Sequence, residues 1–140
     1  ALEGYEEALG PSHPETLGAM STLASAMEEQ GKLDEAEALY RRALEGYEEA
    51  LGPSHPETLE AMGALASAMK RQGKLDEAEA LLRRALEGYE EASDEYANAH
   101  WEAMRNLANL LEIRGEAAAA EELRAQILAR WGVEGVDFEE

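Results

Sequence analysis

The segment ALEGYEEALGPSHPETL occupies residues 1–17 and returns letter for letter at residues 43–59. Its first eight letters appear a third time from Ala85. Successive copies are 42 residues apart. Residues 1–42 and 43–84 differ at six pairs of positions only: Gly18/Glu60, Ser21/Gly63, Thr22/Ala64, Glu28/Lys70, Glu29/Arg71 and Tyr40/Leu82. The third copy diverges after Ala92, yet Gly115 keeps register with Gly73 and Gly31. Self-similarity at such a period marks an array of stacked units, each burying its apolar face against its neighbours.

Each unit reads as two helices. In the second unit Leu59, Met62, Leu65, Ala66 and Met69 follow the i, i+3, i+4, i+7 spacing of one helical face. Gly73 is placed to end that helix in a left-handed conformation. A second helix is expected from about Asp76, a suitable N-cap, with Leu75, Ala78, Leu82, Ala85, Leu86 and Tyr89 on its inner side. No alternating strand pattern occurs. Between units, LGPSHPETL reads as a joint: Gly52 and Pro53 close one helix, Ser54 caps the next, Glu57 reaches back to complete a capping box, and Pro56 sits in the first turn. The competing interpretation makes His13 and His55 metal ligands or bases. They lie a full period apart with no second histidine near either, and Ala97 stands at that place in the third unit. The joint is the better account.

Composition narrows the function. The chain has 140 residues, 45% of them hydrophobic, only 6% aromatic, with a formal net charge of −19. That charge opposes nucleic acid or an acidic membrane surface. There is no cysteine, so disulfides and thiolate metal sites are excluded. No apolar run approaches the roughly 20 residues of a bilayer span, and no signal peptide is visible; a cytoplasmic location is the expectation. The first residue is Ala1, as in a fragment or processed chain.

Aligned on the inter-helix glycine, the units resemble the tetratricopeptide repeat. Met62, Leu65, Ala66, Met69, Gly73, Leu75, Ala78, Leu82 and Ala85 fall on that family's packing positions, as do Met20, Leu23, Ala24, Met27, Gly31, Leu33, Ala36, Tyr40 and Ala43 one period earlier. The family's terminal proline is missing; the second helix instead runs on through GYEEAL. This 42-residue form, with its LGPSHPETL joint, resembles the kinesin light chain type of repeat. The resemblance implies an all-α, right-handed α-solenoid of stacked antiparallel helix pairs that serves as a scaffold for a protein or peptide. The expected organisation is one repeat domain over residues 1–131: a partial helix at 1–10, repeats at 11–51 and 52–92, and a capping repeat at 93–131. An acidic tail, 132–140, follows, with isolated Val133, Val136 and Phe138. Capping is inferred because Arg124 replaces the inward Leu82, Ile127 replaces Ala85, and Leu123, Leu128 and Trp131 continue a narrower stripe.

In the family the first helix of each unit lines a concave groove. Five of the six differences fall there, at Gly18, Ser21, Thr22, Glu28 and Glu29, which with Ser25 describe one stripe. The expected groove comprises Ser21, Ser25, Glu28, Glu29, Glu60, Ser67, Lys70, Arg71, Arg105, Asn109 and Glu112. It is of mixed charge, with Glu102 also among its acids; Lys70, Arg71 and Arg105 suggest an acidic-aromatic ligand. The carboxylate clamp of chaperone-binding relatives is absent, since Ser25, Ser67 and Asn109 stand at its places. No P-loop, dinucleotide fingerprint, HExxH or nucleophile elbow occurs, so neither enzyme activity, nor a cofactor, nor a metal is expected. Glu48 and Glu49 are adjacent on a helix and point apart; His100 and Trp101 read as packing.

Two functions remain in view: a scaffold whose groove binds an extended segment, and an array module acting by self-association or spacing within a longer repeat protein. ALEGYEEAL at residues 1–9 is the back half of a second-type helix. Packed through Leu2, Tyr5 and Leu9, it should leave the region of Ala24 and Met27 uncovered. A weak two-fold dimer through the N-terminal end is then expected, with head-to-tail stacking as the runner-up. Gly46 and Gly88 lie inside helices, so Gly88→Ala should stabilise unless a neighbouring helix approaches there.

Overall fold

The computed structural model describes residues 2–10, 13–92 and 96–132; the tail from Val133, with Val136 and Phe138, lies outside them. The described residues form seven helices and no strand: α1 (Leu2–Leu9), α2 (Pro14–Glu29), α3 (Leu33–Leu51), α4 (Pro56–Arg71), α5 (Leu75–Glu91), α6 (Ala97–Ile113) and α7 (Ala117–Trp131). α2 pairs with α3, α4 with α5 and α6 with α7, while α3 meets α4 and α5 meets α6. The result is an α-solenoid of helix pairs preceded by the short α1.

Each first-type helix ends in the same closure. Gly31, Gly73 and Gly115 take φ of +85°, +85° and +88°. The N–H of the following residue then donates to the carbonyl five back: Lys32 to Met27 at 2.9 Å, Lys74 to Met69 at 2.9 Å, Glu116 to Leu111 at 2.8 Å. This turn leads straight into the next helix. α3 and α5 therefore begin at Leu33 and Leu75, after Lys32 and Lys74, and neither residue offers a side-chain cap. Asp76 lies within the first turn of α5 and does not cap it, which corrects the expected start.

The starts of α2 and α4 also correct the sequence. His13 and His55 are the N-caps, and each Nδ1 accepts the N–H of Glu15 or Glu57 at 3.1 Å. Ser54 does not cap, and Glu57 takes part through its backbone N–H, which donates to His55, where its side chain was expected to reach back to Ser54. The reason is local. Proline at the first helical position forces the residue before it into extended backbone, and His55 has φ −68° and ψ 142°. The cap position thus falls on histidine, whose ring nitrogen replaces the usual side-chain oxygen.

The core runs continuously through the stack. Met62, Leu65, Ala66, Met69, Ala78, Leu82 and Ala85 are all buried, as are Met104, Leu107, Ala108, Leu111 and Ala120. GYEEA has a packing role. An added Cβ on Gly88 would lie 2.6 Å from Leu59 Cδ2, and one on Gly46 would collide with Leu17 Cδ2. Glycine here lets the paired helices close onto a leucine. At Gly4, in α1, a Cβ would meet nothing within 4 Å.

Polar contacts join one unit to the next. Glu37, 8% exposed, accepts from Lys74 Nζ at 2.8 Å and forms an ion pair with Arg41 at 2.7 Å. Gln72 Nε2 donates to Leu33 O at 3.0 Å. Arg114 pairs with Asp76 and lies 3.6 Å from Glu79. At the first pair, the uncovered residues are Leu23, 37% exposed, and Ala26. Ala24 is fully buried and Met27 half-buried, contrary to expectation, because the α2–α3 packing covers them. In α1 only Leu2 packs on the core; Tyr5 and Leu9 are both 40% exposed.

Candidate functional site

Two adjoining troughs run across the first-type helices. Between α4 and α6 a trough of about 360 Å³ is floored by Leu82, Ala85 and Tyr89 of α5. Glu60, Gly63 and Ser67 form its α4 wall, Glu102 and Asn106 its α6 wall. Lys70 joins Ser67 and Asn106 at its far end. Between α2 and α4, Ser21, Glu57 and Glu60 surround Tyr47 of α3.

The two floor tyrosines occupy the same place one period apart. Tyr47 is 7% exposed and Tyr89 3%. Gly18 of α2 lies over Tyr47, its ideal Cβ 3.9 Å from the phenol oxygen; Glu60 stands at the equivalent position above Tyr89. Burial, then the nearby Glu60 and Glu102 carboxylates, push the Tyr89 phenol up to about 12. Burial, Glu57 and Glu60 raise that of Tyr47. Both therefore stay neutral at physiological pH and keep a proton to donate.

The expected groove residues divide. Ser21, Glu60, Ser67 and Lys70 line the troughs. Ser25 and Glu29 are exposed on α2 and line neither. Glu28 and Arg71 meet each other: Arg71 Nη1 lies 3.2 Å from Glu28 Oε2 and donates to its backbone carbonyl at 3.1 Å, while Tyr40 donates to Glu28 Oε1 at 3.2 Å. Three of the six differences between the first two units thus make one contact that joins them. Arg105 rests over the Trp101 ring, 5.5 Å from its centroid. Glu112 takes a bidentate grip from Arg124 at 2.7 and 3.0 Å, which holds its carboxyl below the usual range. Asn109 is half-buried, with its Oδ1 buried and lacking a hydrogen-bond partner.

Sequence reasoning missed Tyr47, Tyr89, Glu57 and Asn106 as trough residues. The available signal was the invariance of GYEEA, which placed Tyr5, Tyr47 and Tyr89 at one spacing. The histidines have structural surroundings: His13 and His55 cap helices, and His100 is buried between Tyr89 and Trp131 at centroid distances of 5.7 and 4.9 Å. No group of three metal-ligating side chains occurs among the described residues. None of the described helices is long and apolar enough to cross a membrane.

Comparison with known proteins agrees with this architecture. The family model described as tetratricopeptide repeat matches residues 1–49 and 18–91. No curated protein matches. Among solved structures, the kinesin light chain nearly identical TPR-like repeats of Podosopora anserina are 25% identical, with a TM-score of 0.80 over 91% of this chain and 61% of theirs. A variant of that protein gives 24% identity and a TM-score of 0.82, over 99% of this chain and 65% of its own. BtubC (BKLC) from P. vanneervenii has the same fold, with a TM-score of 0.87 at 18% identity, over 97% of this chain and 55% of its own. The chain therefore spans less than two thirds of each. A family model covering more than half the chain, on a structure whose helix pairs and glycine closures repeat, establishes that this chain belongs to the tetratricopeptide repeat family.

Proposed function

We propose that the chain is a non-enzymatic protein-interaction scaffold, residues 1–131 acting as one repeat domain whose concave troughs hold a peptide or an extended protein segment. Repeats of this family are generally interaction scaffolds. The supporting observation is that the two troughs adjoin: Glu60 and Ala64 line both, so an extended segment crossing α2, α4 and α6 passes from one directly into the other. A peptide-array screen with the intact chain tests this. Gly63 has open space around it and Ser67 is exposed, so Gly63→Arg with Ser67→Arg fills the trough without disturbing the core. Array ligands should weaken at least tenfold, with the thermal melt unchanged. Ligands that bind the double variant as well as the parent chain would place recognition elsewhere.

A second reading, self-association within an array, is supported by one comparison. Leu23 is 37% exposed, whereas Leu65, the same residue one period on, is 1% exposed. A face that takes a neighbour in one unit stands open in the other. Light scattering should then show concentration-dependent dimers that Leu23→Glu abolishes; a monomer at every concentration would remove this reading.

A further inference from the structure

The trough has a charge of its own. Glu57, Glu60 and Glu102 line it, together with the neutral Ser21, Ser67 and Asn106. Of the three basic residues assigned to the groove from sequence, Arg71 is held by Glu28 and Arg105 rests on Trp101. Lys70 alone lines the trough, and only at one end. The acidic-aromatic ligand expected from sequence therefore loses most of its counter-charges.

The phenols supply an observation independent of charge. The Tyr47 and Tyr89 side chains are more than nine-tenths buried and floor the troughs, and their hydroxyls, bonded to no described residue, are not sealed from solvent but open onto those troughs. A phenol with its ring packed and its hydroxyl unused carries hydrogen-bonding capacity that a ligand can satisfy. Successive first-type helices are held apart by the second-type helix between them, so a ligand crossing the troughs passes several residues, at about 3.3 Å each, from one acidic wall to the next.

Resting on the groove reading above, we infer that the occupant is a basic extended segment, with regularly spaced Lys or Arg seated between Glu57, Glu60 and Glu102 and its backbone hydrogen-bonded to the Tyr47 and Tyr89 hydroxyls. Arginine suits the site best, because its planar fork meets a carboxylate in two bonds and tolerates partial desolvation. Half-buried Lys70 at the end of the trough repels a cation placed there, which sets the register of the basic residues.

The test uses the intact chain and three fluorescein-labelled twelve-residue peptides: four Arg-Ser-Gly triplets, four Gln-Ser-Gly triplets and four Glu-Ser-Gly triplets. Anisotropy is read at physiological ionic strength. The arginine peptide should bind at least tenfold more tightly than either other. Glu60→Gln with Glu102→Gln should weaken it tenfold or more, and Tyr89→Phe about threefold, with unchanged melts. Glu45→Gln with Glu87→Gln removes the same charge from exposed positions on α3 and α5 and should alter affinity less than twofold. Equal weakening by both pairs would mean that net charge alone holds the peptide, and would overturn the inference. Tighter binding of the glutamine or glutamate peptide, lost on filling the trough at Gly63 and Ser67, would overturn the basic ligand while leaving the groove in place. Binding by none of the three would count against both.

Discussion

The glycines of GYEEA show how one residue type acquires different roles from its neighbours. Gly88 and Gly46 each face a buried leucine that a methyl group would strike, whereas Gly4 faces open space. The ordinary helix penalty of glycine, about 1 kcal/mol relative to alanine, is released at all three by substitution. At Gly46 and Gly88 the crowding of Leu17 and Leu59, respectively, exceeds that gain, since overpacking costs about 1–3 kcal/mol. Gly88→Ala should therefore destabilise by about 1–2 kcal/mol in denaturant titration, and Gly4→Ala should be neutral or mildly stabilising. Stabilisation at Gly88 would show that Leu59 has room to move. The sequence alone left the sign to depend on whether a neighbouring helix approaches, because a helical glycine looks the same whether or not another helix touches it.

Glu37 makes a second residue-scale prediction. Hydrogen bonding from Lys74 first, opposed by burial and reinforced by Arg41 and Gln72, lowers its carboxyl from 4.5 to about 2. A folded-state value depressed in this way adds stability that is complete above the unfolded value and is lost as pH falls through the folded one. Glu37→Gln should cost about 1–3 kcal/mol at neutral pH. The gap to the parent chain should close between about pH 5 and pH 2. A constant difference across that range would mean that the effect comes from packing and not from the charge.

At the scale of the helix, the periodic apolar face and the glycine closures were legible, and the structure places them where the spacing indicated. Cap identity was less so. Serine and aspartate are frequent caps, but the extended backbone demanded before Pro14 and Pro56 selects His13 and His55. His55→Ala should cost about 1 kcal/mol and His55→Asn much less, because asparagine can accept the same N–H. Equal losses would indicate that Nδ1 contributes little. The charged differences between units were also ambiguous in sequence. Glu28 and Arg71 lie on different helices and in different units, so no single helical pattern reveals that they meet. Tyr47 and Tyr89 were overlooked for the converse reason: unchanged residues resemble scaffold, even where their hydroxyls reach a surface.

For the molecule as a whole, stability is a sum over neighbours. The α4–α5 pair is flanked on both sides, by α3 and by α6, and α7 carries Arg124 where the second unit has the buried Leu82. Removing residues 93–140 strips the cover from α5 and should lower the melting midpoint by more than about 10 °C. A cooperative melt near the full-length value would show that the first two units suffice. The stack also fixes the geometry of the candidate site, since its floor comes from second-type helices and its walls from first-type helices of two successive units. The measurement that bears most directly on the scaffold function is an amide-resolved NMR titration of the intact chain with its best-binding peptide. The account predicts shifts concentrated at Ser21, Glu60, Gly63, Ser67, Glu102 and Asn106, with little change at Glu45, Arg84 and Glu87. Shifts confined to the latter, on α3 and α5, would contradict it.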